Sequence, residues 1–279
     1  MSERWACEVV EQPRSTQRYK PHEADDEGPL VRRMLELVRA RPRFGYRRIW
    51  VLLRREGFVV NRKRVWRLWR QEGLKVPKKQ RKKRRLGTSA NSCVRQRAVR
   101  KDQVWAWDFI HDRTTDGRSL KCLTMVDEFT RECLTLHVAR SIKAQDAIDI
   151  LAELFATRGV PEHVRSDNGP EFIATAMREW LQQVNVGTLY IEPGSPWENG
   201  YSESFNSKCR DEFLNAEEFD TVKHARGLAG AWHADYNDGR PHSALGYMTP
   251  SEFARTCAAS ARATPSLQQH TSAAEPVLS

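Results

Sequence analysis

Near the N-terminus, apolar residues recur three and four positions apart, which is the spacing of one helix face. Three such stripes follow one another closely, at Leu30–Val38, Tyr46–Leu53 and Val65–Trp69. A proline or glycine follows each stripe, and Asn61, a preferred N-cap residue, stands where the third helix would begin. The pattern predicts a compact unit of three short helices.

From Val104 onward the pattern changes to short runs rich in Val, Trp and Phe, which are typical of buried strands. Strands are predicted at residues 104–110, 120–127, 134–138, 164–166 and 188–191, and helices at 143–158, at 175–184, from about 199, and at 221–236. An Asp-Gly pair at Asp116 predicts a hairpin between the first two strands. The order β-β-β-α-β-α-β-α predicts an α/β fold with a mixed sheet of five strands that begins antiparallel.

Composition predicts where these units end. Polar and basic residues between the two patterns are typical of a linker, and the Ala/Ser/Thr/Pro-rich C-terminus predicts a disordered tail. The predicted organisation is an arm with a possible short helix at 1–27, a helical domain at 28–75, a basic linker at 76–103, an α/β domain at 104–255 and a tail at 256–279.

The net charge of +10 is distributed unevenly. Residues 1–103 carry 30 Lys and Arg against 11 Asp and Glu, whereas residues 104–279 carry 16 against 25. A basic first third predicts binding to a polyanion. DNA or RNA is favoured over a membrane surface, because the basic linker has no apolar helix face.

Basic residues fall in two groups that predict contact with nucleic acid. The first group faces outward on the third predicted helix: Arg62, Lys63, Arg64, Arg67 and Arg70. Three helices with an arginine-rich last helix are typical of a helix-turn-helix domain, although a small bundle that is simply basic would show the same pattern. The second group lies in the linker: Lys78, Lys79, Arg81, Lys82 and Lys83. Such a run predicts sequence-independent contact with phosphates and an affinity that falls steeply with salt.

Several other classes of protein are disfavoured. The six cysteines are scattered, with no C-x-x-C pair and no histidines at finger spacing, so no zinc site is predicted. No apolar run approaches the ~18 residues of a membrane span, and the N-terminus lacks the apolar core of a signal peptide. The expected location is the cytoplasm, in association with the nucleoid of a bacterium.

Three carboxylates occupy positions that a sheet and a helix would bring together. Asp108 lies inside the first predicted strand, Asp167 follows the fourth, and Glu203 lies on the helix after a Gly-Ser-Pro loop. A carboxylate within a buried strand is costly unless it is paired or binds a metal, and strand ends converge on the functional edge of such a sheet. Oxygen ligands without histidine or cysteine favour Mg²⁺ or Mn²⁺. Taken alone, Glu203 would be an ordinary residue of a solvated helix face.

Three other polar residues lie near the carboxylates in the predicted fold, and two of them admit two interpretations. Asp127 ends the second strand, and it is either structural or close to the metals. Asp112 is predicted to lie beyond the first strand. Asn206 follows Glu203 by about one helix turn and is either a substrate contact or a surface residue.

A set of motifs resembles the retroviral-integrase and transposase superfamily, and most closely the second-frame product of bacterial insertion sequences of the insertion-sequence-three family. The motifs are WAWDFI around Asp108, LTMVDEFTRECL from Leu123, RSDNGPEF around Asp167 and SPWENGYSESFNSKCRDE around Glu203, with 35 residues between the last two acids. Residues 44–74 resemble the family's helix-turn-helix, and residues 236–253 its closing motif. The resemblance covers roughly residues 28–255.

The resemblance implies a ribonuclease-H-like core that carries a two-metal phosphoryl transferase. Asp108, Asp167 and Glu203 would be the catalytic residues and the ligands of two Mg²⁺ or Mn²⁺ ions. Arg210, seven residues after Glu203, would contact transposon-end DNA, and Lys208 is a second candidate. The family's lysine appears here as arginine, which keeps the charge but changes the donor geometry.

The implied function is that of a DNA transposase, which binds insertion-sequence ends and catalyses strand cleavage and strand transfer. Its implied partners are the terminal inverted repeats and target DNA, further copies of the same chain on paired ends, and the first-frame product, either separate or fused by frameshifting. Two alternatives stay open: an inactive DNA-binding regulator derived from a transposase, and a nuclease that cuts without joining.

Overall fold

A computed structural model describes residues 2–18, 25–77, 97–166, 175–190 and 200–263. Two groups of predicted site residues lie outside these ranges: Asp167, and the linker residues Lys78, Lys79, Arg81, Lys82 and Lys83. The chain divides into two compact units, residues 1–80 and residues 81–279. Within the described residues, no helix combines the length and the apolar character that crossing a membrane requires.

The first unit is helical, as predicted. Its helices are α1 (Glu3–Val9), α2 (Arg14–Gln17), α3 (Glu27–Ala40), α4 (Tyr46–Arg55) and α5 (Arg62–Gln71). The apolar stripes of the last three pack on one another through buried residues such as Met34, Ile49 and Val65. Asn61 caps α5 as expected, since its side chain accepts a hydrogen bond from the Arg64 backbone N–H at 2.8 Å.

The second unit contains a mixed five-stranded sheet, which confirms the predicted fold class. Its elements are β1 (Val104–Arg113), β2 (Ser119–Asp127), β3 (Cys133–Ala139), α6 (Ala144–Arg158), β4 (His163–Ser166), α7 (Thr175–Gln183), β5 (Gly187–Tyr190), α8 (Gly200–Cys209), α9 (Val222–Ala234) and α10 (Pro250–Ala263). The strand order is β3-β2-β1-β4-β5, with antiparallel pairing on one side of β1 and parallel pairing on the other.

Helices cover both faces of the sheet. One core contains side chains from β1, α6 and α7, such as Trp105, Leu151 and Met177. The opposite core contains side chains from α8 and α9, such as Phe205 and Ala225. Side chains of β1 therefore alternate between the two cores, and those at even-numbered positions face α8.

Two expectations are wrong at element ends. β1 continues to Arg113, so Asp112 lies within the strand and pairs with Leu120, because the hairpin that follows holds the two strands in register. α10 continues to Ala263, so residues 256–263 of the predicted disordered tail are helical. That stretch is rich in alanine, the residue with the strongest helix propensity.

Two π-helical turns extend predicted helices. α8 passes into Arg210–Leu214, and α9 passes into Asp235–Gly239. In such a turn the N–H bonds to the carbonyl five residues earlier, as the Asn215 N–H does to the Arg210 carbonyl at 2.9 Å. Single π turns of this kind are frequent at functional sites.

Candidate active site

Asp108 projects from the middle of β1 toward α8. Its strand neighbours on that face are Ala106 and Ile110, both of which are buried in the α8-side core. Asp108 itself is half-buried, and its Oδ1 accepts a hydrogen bond from the Phe109 backbone N–H at 2.7 Å. A carboxylate in the centre of the sheet is thus open to solvent on one side.

Asn206 connects Asp108 to α8. The Asn206 Nδ2 donates to the Asp108 Oδ2 at 2.8 Å, and its Oδ1 lies 3.0 Å from the Thr124 hydroxyl. Thr124 is opposite Asp108 in β2, and its hydroxyl also lies 3.0 Å from the Asp108 carbonyl. The amide therefore fixes the carboxylate of β1, the hydroxyl of β2 and one face of α8 relative to one another.

Glu203 lies one helix turn before Asn206 and shares that side of α8. Phe205, Cys209 and Phe213 are buried, whereas Glu203, Ser207 and Arg210 are exposed, which confirms the two faces predicted from the sequence. The contact between Asn206 and Asp108 consequently places Asp108 and Glu203 on the same face of the sheet, the one that α8 covers.

Asp167 lies outside the described residues. The strand before it, β4, pairs in parallel with β1, with Arg165 opposite Ala106. Asp167 and Asp108 each follow these partners by two positions in the sequence. Within the ranges that the structure describes, no group of three His, Cys, Asp or Glu side chains is arranged to hold a metal.

Arg210 contacts β1 beyond Asp108. Its Nη2 donates to the His111 backbone carbonyl at 3.1 Å, three residues along the strand. Strand residues advance by about 3.3 Å, so the guanidinium lies roughly 10 Å along β1 from the carboxylate. Lys208 points elsewhere on α8, and its Nζ donates to the Ser204 Oγ at 2.8 Å.

Asp127 is structural, which decides between its two interpretations. It is fully buried, and its oxygens accept backbone N–H bonds from Asp102, Phe129 and Thr130 at 2.7–3.0 Å. Burial raises the pKa of this carboxyl to about 6, while the three N–H donors act in the opposite direction. The side chain thus fixes the turn between β2 and β3.

A buried ion pair holds the π turn after α8. The Arg240 guanidinium donates to both Glu212 carboxylate oxygens, at 2.6 and 2.5 Å, and its Nη1 lies 3.1 Å from the His242 Nε2. Arg240 is only 2% exposed. Arg240 and His242, which lie in the predicted closing motif of residues 236–253, therefore connect the C-terminal part of the core to the turn that begins with Arg210.

In the first unit, the basic residues of α5 divide into two sets. Arg64 pairs with Asp26 at 2.6 Å and Arg67 pairs with Glu27 at 2.8 Å, across to the start of α3. Arg62, Lys63 and Arg70 are exposed next to these two residues on the helix surface. Trp66, which sequence reasoning did not select, is 45% exposed among them, with the Arg70 guanidinium 5.2 Å from its ring.

Comparison with known proteins agrees with both units. The profile of an HTH-like domain matches residues 23–84, and two profiles of an integrase core domain match residues 98–196 and 184–250. An uncharacterized 31.7 kDa protein of insertion element IS407 from Burkholderia multivorans is 40% identical over 269 residues, which cover 96% of each chain. This chain belongs to the insertion-sequence-three family of transposases.

More distant members of this transposase family are similar over most of their length. The transposase InsD for insertion element IS2D of Escherichia coli is 27% identical over 244 residues, covering 82% of this chain and 79% of that one. Among solved structures, the HTLV-2 integrase catalytic core domain in complex with magnesium is similar to this chain with a TM-score of 0.46 at 14% identity, over 56% of this chain and 99% of that chain. Membership places the protein in DNA transposition.

Proposed function

We propose that this protein binds the ends of an insertion element and catalyses metal-dependent cleavage and transfer of DNA strands. The observation that carries the proposal is the Asn206 amide between Asp108 and α8, because it holds a strand carboxylate against the helix that carries Glu203. Asp167, two residues after the β4 position that pairs with Ala106, would complete the set.

The donor set fits a hard divalent cation. Asp108, Asp167 and Glu203 would supply carboxylate oxygens to Mg²⁺ or Mn²⁺, and both described carboxylates are accessible to solvent. Two such ions, when bound, would offset the negative charge that develops on the attacking and leaving oxygens of an in-line displacement. Asn206 would keep the Asp108 carboxylate oriented toward the cation, as hydrogen-bond partners of metal ligands do.

The reaction itself needs no covalent link to the protein. For donor cleavage, a water oxygen bonds to phosphorus while the bond to the 3′ oxygen breaks, which leaves a 3′-hydroxyl. For joining, that 3′-hydroxyl attacks a target phosphodiester in the same way. Arg210 and Lys208 would hold phosphates of the bound DNA, and the linker cations would add contacts that do not depend on sequence.

The partners that we propose follow from this reaction. They are double-stranded DNA bearing the terminal inverted repeats, target DNA, and further copies of the chain, since joining two ends at one target requires two active sites. Association with a first-frame product, either as a separate chain or as a fusion, is part of the same proposal.

Contacts with DNA from α5 should come from Lys63 and Arg70 rather than from Arg64 and Arg67, which pair with the acids of α3. The Lys63→Ala/Arg70→Ala double variant is expected to weaken end binding and to reduce the slope of log affinity against log salt by about two, because each lost phosphate contact removes about one. Arg64→Ala/Arg67→Ala should change the slope much less, because Asp26 and Glu27 already balance those charges. Fluorescence anisotropy between about 50 and 200 mM salt measures both.

The two double variants remove the same formal charge from the same helix, so each controls for the other. An equal loss of slope in both would contradict the division of α5 into two sets. Thermal denaturation separates folding from binding, since exposed ion pairs contribute at most about 1 kcal/mol each.

The proposed reaction is tested with supercoiled DNA that carries the element's terminal repeats, with and without Mg²⁺. Nicks at the 3′ ends followed by joined products are expected only with the metal. Nicks that never lead to joined products would indicate a nuclease instead. Stable end binding without either product would indicate a DNA-binding regulator.

A further inference from the structure

A cavity of about 460 Å³ lies beside α8, and neither Asp108 nor Glu203 lines it. Its helix wall is formed by Gly200, Tyr201, Ser204 and Lys208, which recur along one face. At 3.6 residues per turn, this face is about a third of a turn from Glu203. The volume lies within the range of about 300–1,000 Å³ that is typical of ligand sites.

The lining of the cavity is positively charged. Arg97, Arg131 and Lys208 reach it from three different parts of the second unit. The carboxylate at its wall is Asp127, which is fully buried and directed at the backbone N–H groups of its own turn. Three cations thus outweigh one inward-directed acid, which favours an anionic occupant.

Aromatic rings provide the apolar part of the same cavity. Tyr201 is half-buried, and the Arg131 guanidinium lies 3.7 Å from its ring centroid. Phe205 and Tyr236 form a buried pair behind it, with ring centroids 5.0 Å apart. A guanidinium stacked on a tyrosine makes a flat platform that is charged at its edge.

We propose that this cavity binds one unpaired nucleotide of the DNA, with the phosphate on Lys208 and Arg131 and the base against Tyr201. Interleaved cations and aromatic rings are how proteins hold single strands, because every base has a stacking face and every nucleotide carries a phosphate. A duplex cannot enter a concavity of this size, so it would touch only the rim. The inference rests on the proposed function, since it requires DNA at α8.

The nucleotide would lie near the reacting phosphate. A helix with its side chains is about 10–12 Å across, and neighbouring phosphates are about 3.4 Å apart along each strand. A strand that passes from the Glu203 face to the cavity therefore spans about three nucleotides. The cavity would hold the unpaired strand next to the cut and keep it from re-pairing.

The test compares a terminal-repeat duplex that has three unpaired nucleotides at its end with the fully paired duplex. Full-length Glu203→Gln protein in Mg²⁺-free buffer removes any dependence on turnover, and fluorescence anisotropy gives the ratio of the two affinities. A preference of at least about 5-fold for the unpaired end is expected, as stacking of one base provides. Tyr201→Ala and Lys208→Ala should each remove most of it.

Two control variants are matched to these changes. Tyr201→Phe keeps the ring and should keep the preference, whereas Lys223→Ala removes an exposed cation of α9 that does not line the cavity and should leave the ratio unchanged. A photoreactive base in the unpaired segment should cross-link to the peptide that contains Tyr201.

Either of two results would overturn the inference. One is equal affinity of the Glu203→Gln protein, with Tyr201 intact, for both DNAs. The other is a preference that persists in both the Tyr201→Ala and the Lys208→Ala variants. Failure of the inference is separable from that of the proposed function. If Mg²⁺-dependent nicking and joining occur without the preference, the proposed function stands and the proposed nucleotide site is wrong. If a Tyr201-dependent preference is found without any nicking or joining, the proposed nucleotide site stands and the proposed reaction is wrong.

Discussion

Replacing Asp108 with asparagine is expected to reduce Mg²⁺-dependent nicking and joining by about 10³-fold, with end binding unchanged. Asparagine has nearly the same size, so β1 and its contact with Asn206 can persist. The negative charge that would hold the cation is lost. Glu203→Gln and Asp167→Asn should behave in the same way if the three carboxylates form one site.

Asp112→Asn is the matched control for Asp108→Asn. Asp112 lies on the same strand, four residues further, and alternation places it on the same face. The Asp112 variant should therefore keep near-normal cleavage of supercoiled DNA. Cleavage by the Asp108 variant at more than about a tenth of the normal rate would remove Asp108 from the site.

The second large effect concerns stability. Arg240→Met is expected to lower the free energy of unfolding by about 3–5 kcal/mol, because it leaves the Glu212 carboxylate buried without its guanidinium. The side chain of Glu212 is only 10% exposed, and both of its oxygens accept hydrogen bonds from Arg240. Urea denaturation followed by circular dichroism measures the change.

The double variant Glu212→Leu/Arg240→Met should recover much of this loss, since an apolar pair of similar volume removes both charges together. Arg226→Met is the control, because Arg226 is exposed on α9 and its Nε donates to the Val138 carbonyl at 2.7 Å rather than to a buried carboxylate. A loss below about 1 kcal/mol in Arg240→Met would show that the buried pair does not hold the π turn.

Local patterns predicted the elements and part of the candidate site. Alternation in β1 and the helical stripe around Phe205 were enough to place Asp108 on a strand and Glu203 on an exposed helix face. The strand alternation and the helical stripe both depend on residues that are close in the sequence. The mixed sheet followed from the order of its elements, and the structure confirms it.

Long-range pairs explain what the sequence did not predict. Arg64 bonds to Asp26 across 38 positions, and nothing in the pattern of α5 separates it from the exposed Arg70. The Asn206 contact with Asp108 spans 98 positions, so the choice between a surface amide and a site residue required the fold. Likewise, counting seven residues from Glu203 assumes a continuous α-helix, whereas π-helical bonding begins at Arg210.

The ion pair between Glu212 and Arg240 can form only late in the synthesis of the chain. Its two partners are 28 positions apart, and a chain grows from its N-terminus at about 5–20 residues per second. The helices of the first unit and Glu203 itself therefore emerge before Arg240 does. Until Arg240 arrives, the turn that carries Arg210 lacks its anchor, so a ribosome-bound chain can form the helices of its first unit before the proposed catalytic site is complete.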